Sequence, residues 1–379
     1  MSKTYRLGVI GFAHMHVNSL IDRFNDLSNV EWVACADTVP DVPSLSMASS
    51  TRGYNLKRAH KEIGIPKVYD DYRVMLDKEG FDIIIFCPEN ARHPDVAEAI
   101  AGRGIHMVTE KPMAASLSGA LRMVRAAEAN SVELVINWPS TWQSAIRTMK
   151  KLIDSGVVGD VWEFKWRNGA SMGPLSYGTG EYLVTDGEKA SEWWHHAAPG
   201  GGALLDYCCY GACLSRWMLG QPAVAVYGIK ANMTSHYGDA DDNAVLTVRF
   251  PKALAILEAT WTTWNVGVPT GPIVYGTKGT LVVDRVTGKD GTTTQVVKVF
   301  TSRGHGYIEP DQIVEGEPLP EGRATTAEEV IHHLETGDPL HPTLEMRNNL
   351  EMMAILDAGI RSAASGKQEL VNDMTWCIG

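Results

Sequence analysis

The sequence predicts an α/β protein of two domains. The first is a doubly wound parallel sheet, and the second is an α+β domain with a large open, mostly antiparallel sheet. The chain's 379 residues are too many for one ordinary core and too few for three domains. Apolar runs alternate with helical patterns up to residue 137, and strands joined by turns follow from residue 161. We therefore predict domains at residues 1–137 and 138–379.

The elements of the first domain follow from the spacing of its apolar residues. Strands this apolar are typical of parallel sheets with both faces covered, and the patterns between them repeat at helical spacing. Such βαβ units predict a dinucleotide-binding domain of the Rossmann type. The predicted strands are 6–10, 30–36, 83–86, 106–108 and 134–136, and the predicted helices are 17–27, 95–103 and 117–129.

The second domain shows alternating strands and hairpin signals. Two short turns, Pro-Lys-Ala at 251–253 and Gly-Thr-Lys-Gly at 276–279, predict antiparallel hairpins. Residues 167–202 lack periodicity, and a loop of that length is usually a lid or a binding loop. The predicted strands are 161–166, 224–231, 244–250, 253–262, 273–275 and 280–283, and the predicted helices are 203–219, 326–334 and 344–364, of which the last can pack back on the first domain.

Composition narrows the class of ligand. A net charge of -11 without a basic cluster argues against nucleic acid and anionic membranes as partners. No apolar stretch approaches the roughly 20 residues of a membrane helix, and no signal peptide is evident, so we expect a cytoplasmic protein. The six cysteines form no CxxC pair, which favours buried free thiols over disulfides or zinc. The expected ligand is a small molecule.

A degenerate glycine motif follows the first strand. The pattern G-x-G-x-x-G is filled by Gly11, Ala13 and His16, so only the glycine of the tight turn remains. The backbone N–H groups of Phe12 and Ala13 can still meet a pyrophosphate at the start of the helix. His14 and His16 could be read as metal ligands, but no acidic or thiol partner lies nearby in sequence. We predict no metal and assign His14 to the cofactor site.

Asp37 ends the second strand, 26 residues beyond Gly11. A carboxylate there can bind the hydroxyls of the adenosine ribose, and it would repel a 2′-phosphate. The residues that follow, Thr38-Val39-Pro40, include no arginine. The predicted cofactor is NAD rather than NADP, and the alternative is that Asp37 is an exposed acid that begins a turn.

The order of motifs resembles that of the Gfo/Idh/MocA oxidoreductases. A strand is followed by Cys87-Pro88-Glu89-Asn90-Ala91-Arg92-His93, a helix, a Gly-x-His strand and Glu110-Lys111-Pro112. The segments KKLIDSGVVGDVWEFKW, GGGALLDYCCYGACLSRWMLG and AILDAGIRSAASGKQELV also look like that family. The resemblance implies a nicotinamide cofactor bound by Gly11, Phe12, Ala13, His14, Asp37, Pro88, Asn90, His93, Glu110 and Lys111.

Lys111 is the expected centre of the chemistry. In the Gfo/Idh/MocA family, which this sequence resembles, the lysine of Glu-Lys-Pro lies beside the nicotinamide and contacts the hydroxyl that is oxidised. A lysine at the carboxyl end of a sheet strand can also stabilise an alkoxide for purely electrostatic reasons. We expect Glu110 to orient Lys111 or to bind the nicotinamide ribose. The alternative is an ordinary surface lysine.

Asp206 and Tyr210 stand at i and i+4 on one predicted helix face, so both can enter one site. The resemblance makes Asp206 a substrate-binding aspartate and puts Tyr210 where many members carry an acid/base histidine. A tyrosine needs a lowered pKa for that role, and we expect Lys111 to lower it by about three units. The alternative is that Tyr210 packs against Trp217 while His195 or His196 takes the proton.

Candidate substrate contacts cluster in the second half of the chain. Nine of the eleven tryptophans lie between residues 138 and 264, and most are expected in the core. The candidates for contact with a sugar are Trp193 and Trp194 on the loop, together with Asn137, Trp142, Arg167, His195 and His196.

The leading hypothesis is hydride transfer from a sugar or polyol hydroxyl to NAD. The second is an NAD-dependent glycosidase, or an enzyme acting on C-glycosides, that keeps its cofactor and oxidises its substrate only transiently. A cofactor-binding regulator without activity is the third. The resemblance also implies a homo-oligomer, a dimer or tetramer.

Overall fold

In the computed structural model, which describes residues 3–171, 185–263, 271–302, 304 and 308–371, the first domain is a six-stranded parallel sheet. This confirms the predicted doubly wound sheet. The spatial order β3-β2-β1-β4-β5-β6 reverses direction between β1 and β4, and ligands bind at such a point. The strands are β1 (Tyr5–Phe12), β2 (Val30–Ala36), β3 (Lys67–Tyr69), β4 (Ile83–Cys87), β5 (His106–Glu110) and β6 (Leu134–Asn137).

Five helices cover this sheet, and two of them escape sequence prediction. Helix α2 buries Arg52 and Asn55 beside Ala59, so its inner face shows no apolar periodicity. Helix α3 is only seven residues long and is capped by Asp71, which accepts a hydrogen bond from Arg73 N. The helices are α1 (Val17–Asn25), α2 (Arg52–Lys61), α3 (Tyr72–Lys78), α4 (His93–Ala101) and α5 (Leu117–Ala129).

The second domain is built on a nine-stranded sheet with the order β14-β13-β12-β11-β7-β10-β9-β8-β15. Only β7 and β10 pair in parallel among its described ladders, which confirms a mostly antiparallel sheet. Both predicted hairpins are present, between β9 and β10 and between β11 and β12. The strands are β7 (Val161–Ser171), β8 (Ala225–Ala231), β9 (Asn243–Arg249), β10 (Leu254–Thr263), β11 (Ile273–Gly276), β12 (Thr280–Thr287), β13 (Thr293–Phe300), β14 (Gln312–Glu315) and β15 (Glu369–Leu370).

Helices of the second domain connect it to the first. The last helix packs on β8 and also on α5 of the first domain. None of the described helices is long and apolar enough to cross a bilayer. The helices are α6 (Ser144–Asp154), α7 (Asp186–Ala190), α8 (Cys209–Leu219), α9 (Thr326–Thr336) and α10 (Met346–Ser365).

The prediction of an irregular loop over residues 167–202 is wrong for its described part. Strand β7 continues to Ser171, α7 carries a capping box between Thr185 and Glu188, and a 3-10 turn spans Trp193–His195. Residues 172–184 lie outside the described chain. We refer to residues 186–202 as the strap.

Candidate active site

The turn after β1 meets the turn after β4 backbone to backbone. Gly11 has φ +79°, and a Cβ built there would lie 2.5 Å from the backbone nitrogen of Pro88. Both constraints require glycine at this position. His14 N donates to Cys87 O at 3.0 Å and ties the two turns together. The surviving glycine of the motif therefore has a structural reason, and it brings Phe12 and Pro88 to one edge of the sheet.

His16 fills the place of the third glycine by reaching across to β5. Its Nδ1 lies 2.9 Å from Glu110 Oε2, and the ligand atoms of His14, His16 and Glu110 all lie within 4.8 Å of one another. The expectation that no acidic partner lies near these histidines is therefore wrong, because β5 supplies one through space. Burial, reinforced by the neighbouring His16 and Lys111, holds the pKa of His14 well below its ordinary value. His14 is neutral at pH 7.

Glu110 is held by this histidine and by an asparagine rather than by Lys111. Its Oε1 accepts a hydrogen bond from Asn137 Nδ2. Asn137 Oδ1 in turn accepts from Trp142 Nε1 at 3.2 Å and from the Thr326 hydroxyl. Asn137 thus fixes Glu110 in a buried network, where the sequence predicts a residue that lines the cleft.

At the other end of the first sheet, Asp37 binds an arginine. Its Oδ1 accepts from Phe12 N at 3.0 Å, from Thr38 N at 2.8 Å and from Arg52 Nη1 at 2.6 Å. Burial raises the pKa of Asp37, although Arg52 and the two N–H groups partly oppose the shift. Residues 38–40 include no arginine, but α2 brings Arg52 to Asp37 from 15 positions along the chain.

Glu89 holds the other side of this arginine. Arg52 Nη2 donates to Glu89 Oε1, and the side chains of Glu89 and Arg52 are only 3% and 11% exposed. Asp37 also borders a cavity of about 210 Å³. Neither Arg52 nor Glu89 is among the residues that the sequence predicts for the site. Glu89 lies inside the Pro-x-Asn motif, and that position is the one signal that points to it.

The Pro-x-Asn loop leaves buried polar atoms without partners. Asn90 Nδ2 donates to Gly200 O at 2.8 Å, but Asn90 Oδ1 has no hydrogen-bond partner in the described chain. His93 Nδ1 donates to Met113 O at 3.0 Å, and burial lowers the pKa of His93 to about 4. Since buried polar atoms are normally paired, the free oxygen of Asn90 is suited to receive a donor from a ligand.

Lys111 is buried where the two domains meet. Its Nζ donates to Asp206 Oδ1 at 2.6 Å and to Asp206 O at 3.0 Å, and the residue is only 2% exposed. Burial alone would lower its pKa, but the carboxylate of Asp206 outweighs burial and holds the pKa of Lys111 well above its ordinary value. Lys111 therefore provides a fixed positive charge at the end of β5.

Asp206 lies in a π-helical turn, Leu204–Cys208, that precedes α8. Such turns occur often at functional sites. Its second oxygen, Oδ2, accepts from Trp261 Nε1 at 3.2 Å, and its side chain is 27% exposed. Asp206 is thus fixed by one donor from each of two elements and still faces open space. Trp261, on β10, is a site residue that strand alternation alone does not distinguish from a core tryptophan.

Tyr210 lies beside Lys111, but in a different geometry from the one expected. Lys111 Nζ lies 4.8 Å from the centre of the Tyr210 ring, above its face. The ring stacks on Trp166 at 5.9 Å and meets the edge of Trp138 at 5.4 Å. Burial raises the pKa of Tyr210, and the charge of Lys111 does not overcome this. The expected lowering of the Tyr210 pKa by Lys111 is therefore wrong in its net direction.

The two strap histidines are held in other ways. His195 Nε2 accepts from Trp194 Nε1 at 3.1 Å, so a neutral His195 carries its proton on Nδ1. Burial lowers the pKa of His195 to about 3. His196 Nε2 donates to Ala190 O at 2.7 Å. His195 as arranged presents no free basic nitrogen, because its Nε2 accepts from Trp194 and its Nδ1 carries the proton. Trp217, the alternative partner proposed for Tyr210, instead contacts the ring of His341.

Hydrogen bonds tie the strap to the first domain along its length. Trp193 Nε1 donates to Ala13 O at 2.9 Å, directly over the turn after β1. The Ser44 hydroxyl donates to Glu192 Oε1 at 2.6 Å, and Ala91 N donates to Pro199 O at 3.0 Å.

Beneath the strap remains a cavity of only about 20 Å³, bordered by Trp193, Trp194, Asp206, Trp261 and residues of both turns. The other predicted contact, Arg167, instead faces Glu258 on the neighbouring strand, with Nε 3.5 Å from Oε2.

Comparison with known sequences assigns both domains. Residues 5–138 match the family model described as "Oxidoreductase family, NAD-binding Rossmann fold", and residues 146–282 match "GFO/IDH/MocA C-terminal domain".

Curated relatives are sugar and polyol dehydrogenases by name. D-apiose dehydrogenase of Rhizobium rhizogenes is 28% identical over 35% of this chain and 38% of its own length. D-xylose 1-dehydrogenase (NADP(+)) of Haloarcula marismortui is 27% identical over 48% of each chain. Myo-inositol 2-dehydrogenase of Thermotoga maritima is 20% identical over 69% of this chain and 72% of its own. The chain thus spans less than half the length of the first two relatives.

Solved structures share the fold over nearly the whole chain. An aldose-aldose oxidoreductase from Caulobacter crescentus superposes with a TM-score of 0.73 at 19% identity, covering 97% of this chain and 100% of the other. The WlbA dehydrogenase from Bordetella pertussis, in complex with NADH and UDP-GlcNAcA, gives 0.73 at 21% identity, covering 99% of each chain. At these identities the likeness concerns the fold.

Proposed function

The chain belongs to the Gfo/Idh/MocA oxidoreductase family, with an NAD-binding Rossmann domain, and from that premise we propose that it oxidises a hydroxyl group of a sugar, polyol or glycoside. The single observation that carries this proposal is the buried pair between Lys111 and Asp206. It joins the two domains at the carboxyl end of β5, where a fixed positive charge can stabilise an alkoxide.

Three features of the first domain fit NAD. The turn at Gly11 has no space for a side chain, so the backbone is free to approach a pyrophosphate. Asn90 Oδ1 is buried without a partner among the described residues and suits a ligand donor. Asp37 Oδ2 accepts no hydrogen bond from the described residues, while Asp37 borders the cavity at the end of β2 and suits ribose hydroxyls. We assign NAD rather than NADP because the acidic lining of that cavity would repel a 2′-phosphate.

Bound NAD would supply the hydride acceptor, and the chain's own residues would handle the proton and the charge. Lys111 Nζ would donate a hydrogen bond to the substrate oxygen and stabilise its developing negative charge. The carboxylate of Asp206, which touches Lys111 and is partly exposed, would orient the hydroxyl and accept its proton. Tyr210 keeps its own proton at neutral pH, because burial raises its pKa, and would shape the site under Lys111.

The test is a panel of sugars and polyols, assayed with NAD by the appearance of NADH absorbance. We expect turnover of at least one member of the panel. Binding of NADH without turnover of any sugar, polyol or glycoside would contradict the proposal.

One observation favours a second candidate, in which the oxidation is transient and the cofactor stays bound while a glycosidic bond is cleaved. Trp193 closes over Ala13, and Glu192 is bound to Ser44, so the strap covers the expected path of the cofactor. A covered cofactor suits chemistry that regenerates NAD within one turnover. Release of the aglycone from a glycoside without net NADH, by a protein purified with bound NAD, would select this candidate over the first.

A further inference from the structure

The buried guanidinium of Arg52 lies between two carboxylates at the adenosine end of the site. Nη1 donates to Asp37 Oδ1 at 2.6 Å and to Thr38 O at 2.8 Å, and Nη2 donates to Glu89 Oε1. Asp37 borders the cavity of about 210 Å³, whereas Arg52 and Glu89 lie outside its lining. Arg52 thus lies immediately behind Asp37, the carboxylate proposed to bind the ribose, but the carboxylates of Asp37 and Glu89 neutralise its charge.

Glu89 also faces a second arginine, Arg92, whose Nη2 donates to Asp41 Oδ1 at 2.6 Å. Glu89 Oε2 lies 3.6 Å from Arg92 Nε, and Arg92 borders the same cavity. With a side chain 3% exposed, Glu89 exerts its charge with little screening by water.

The remaining wall of the cavity is acidic. Its lining holds four aspartates against two arginines, namely Asp37, Asp70, Asp71 and Asp95 against Arg73 and Arg92. A ribose 2′-phosphate would bring nearly two further negative charges to this wall. Whether it is tolerated therefore depends on how much arginine charge remains uncompensated.

We propose that Glu89 determines nucleotide selectivity in this chain: by pairing with Arg52 behind Asp37, it withholds that guanidinium group from a 2′-phosphate. Arg52 is then a suppressed phosphate-binding residue. The inference rests on the proposed function, since it requires that the cavity receives the adenosine of a nicotinamide nucleotide.

The experiment measures dissociation constants of NADH and NADPH for purified protein, by fluorescence at fixed ionic strength. For Glu89→Gln we expect the affinity for NADPH relative to NADH to rise about tenfold, because one close negative charge is removed. For Arg52→Gln we expect the same ratio to fall about tenfold, because both carboxylates lose their partner. The side-chain amide that Glu89→Gln introduces can still accept a hydrogen bond from Arg52, which limits damage to the fold.

A matched control uses a similar ion pair elsewhere in the domain. Arg58 Nη2 donates to Asp22 Oδ1 at 2.7 Å on the outer helices, so Asp22→Asn removes a carboxylate from an arginine without changing the cavity. The ratio should not move in this variant.

The outcomes separate the two proposals. If both nucleotides weaken alike in Glu89→Gln and Arg52→Gln, these residues have only a structural role and the inference fails. If Glu89→Gln does not fold, Arg52→Gln decides, and an unchanged ratio in that variant overturns the inference. Wild-type protein that binds neither nucleotide would overturn the proposed function itself.

Discussion

Two buried ion pairs lie at opposite ends of one sheet edge, and they differ in what they connect. Lys111 and Asp206 come from different domains, 95 positions apart, and Asp206 is 27% exposed. Arg52 and Glu89 both belong to the first domain, and Glu89 is 3% exposed. Asp206 of the first pair borders the small cavity beneath the strap, whereas the second pair is enclosed. On the roles proposed above, similarly buried charges would serve chemistry in one place and nucleotide selectivity in the other.

The two pairs also differ in which elements hold them. Lys111 keeps its carboxylate partner only while the π-helical turn of the second domain stays in contact with β5. Arg52 keeps both partners regardless of the second domain. On the roles proposed above, variants at Lys111 and Asp206 should change turnover, and variants at Arg52 and Glu89 should change which nucleotide binds.

The largest effect is expected for Lys111→Met. Turnover should fall about a thousandfold, because the fixed charge that stabilises the alkoxide is lost. NADH affinity should change by no more than about threefold, which corresponds to less than 1 kcal/mol of binding free energy. Lys67→Met, which removes an exposed lysine paired with Glu79, is the control and should leave both values unchanged. Retained turnover in Lys111→Met would remove the functional difference between the two ion pairs.

Asp206→Asn should lower turnover about a hundredfold, within the range that positioned proton-transfer groups contribute. The amide preserves the volume and a contact with Trp261. In the wild type the carboxylate of Asp206 raises the pKa of Lys111. When that carboxylate is removed, burial lowers the pKa of Lys111. Activity of the variant should therefore decline as the pH rises into the alkaline range, where the wild type remains constant. A pH profile parallel to that of the wild type would contradict this account of the pair.

Tyr210→Phe distinguishes the proton acceptor. The ring would still stack on Trp166 and contact Trp138, so we expect turnover to fall by no more than about tenfold, an effect below 1.4 kcal/mol. A loss as large as that in Lys111→Met would mean that the Tyr210 phenol exchanges the substrate proton after all. Circular dichroism and NADH binding of the variant provide the control for folding.

The fold was largely predictable because its strong elements carry strong local signals. Strand β2 and helix α5 coincide with their predicted bounds, since every turn of α5 presents apolar residues to the sheet. The helix α2 could not be predicted in the same way, because its buried side chains include Arg52 and Asn55. Their partners lie on other elements and are invisible to periodicity.

The site, like the fold, was predictable only where the signal is local in sequence. The sequence assigned Lys111 and Asp206 to one site, but it predicted Tyr210 and not Asp206 as the direct partner of Lys111. The role of Tyr210 could not be anticipated, because its pKa depends on whether Lys111 approaches the ring face or the hydroxyl oxygen. Spacing along a helix specifies which residues share a face, but the approach angle of a side chain from another domain is set by packing.

The strap contacts the first domain, and its contact through Glu192 depends on pH. Burial raises the pKa of Glu192 to about 7, although its hydrogen bond with Ser44 opposes the shift. The protonated acid is thus favoured in the closed strap, so closure is strongest below the ordinary pKa and weakens as pH rises towards 7. Local opening of residues 186–202, measured by hydrogen exchange and corrected for intrinsic rates, should increase about tenfold from pH 5.5 to 7.5. Glu192→Gln should abolish this increase, and an unchanged slope would exclude Glu192 as its cause.

The smallest effect is expected at the contact between the strap and the turn after β1. Trp193→Phe keeps an aromatic ring over His14 and removes only the hydrogen bond to Ala13 O. A hydrogen bond contributes about 1 kcal/mol, so bound NAD should dissociate about fivefold faster. Stopped-flow displacement of NADH measures this rate, and Trp162→Phe, an exposed tryptophan on β7, is the matched control. An unchanged rate would mean that the strap does not retain the cofactor, and the case for transient oxidation would lose its structural support.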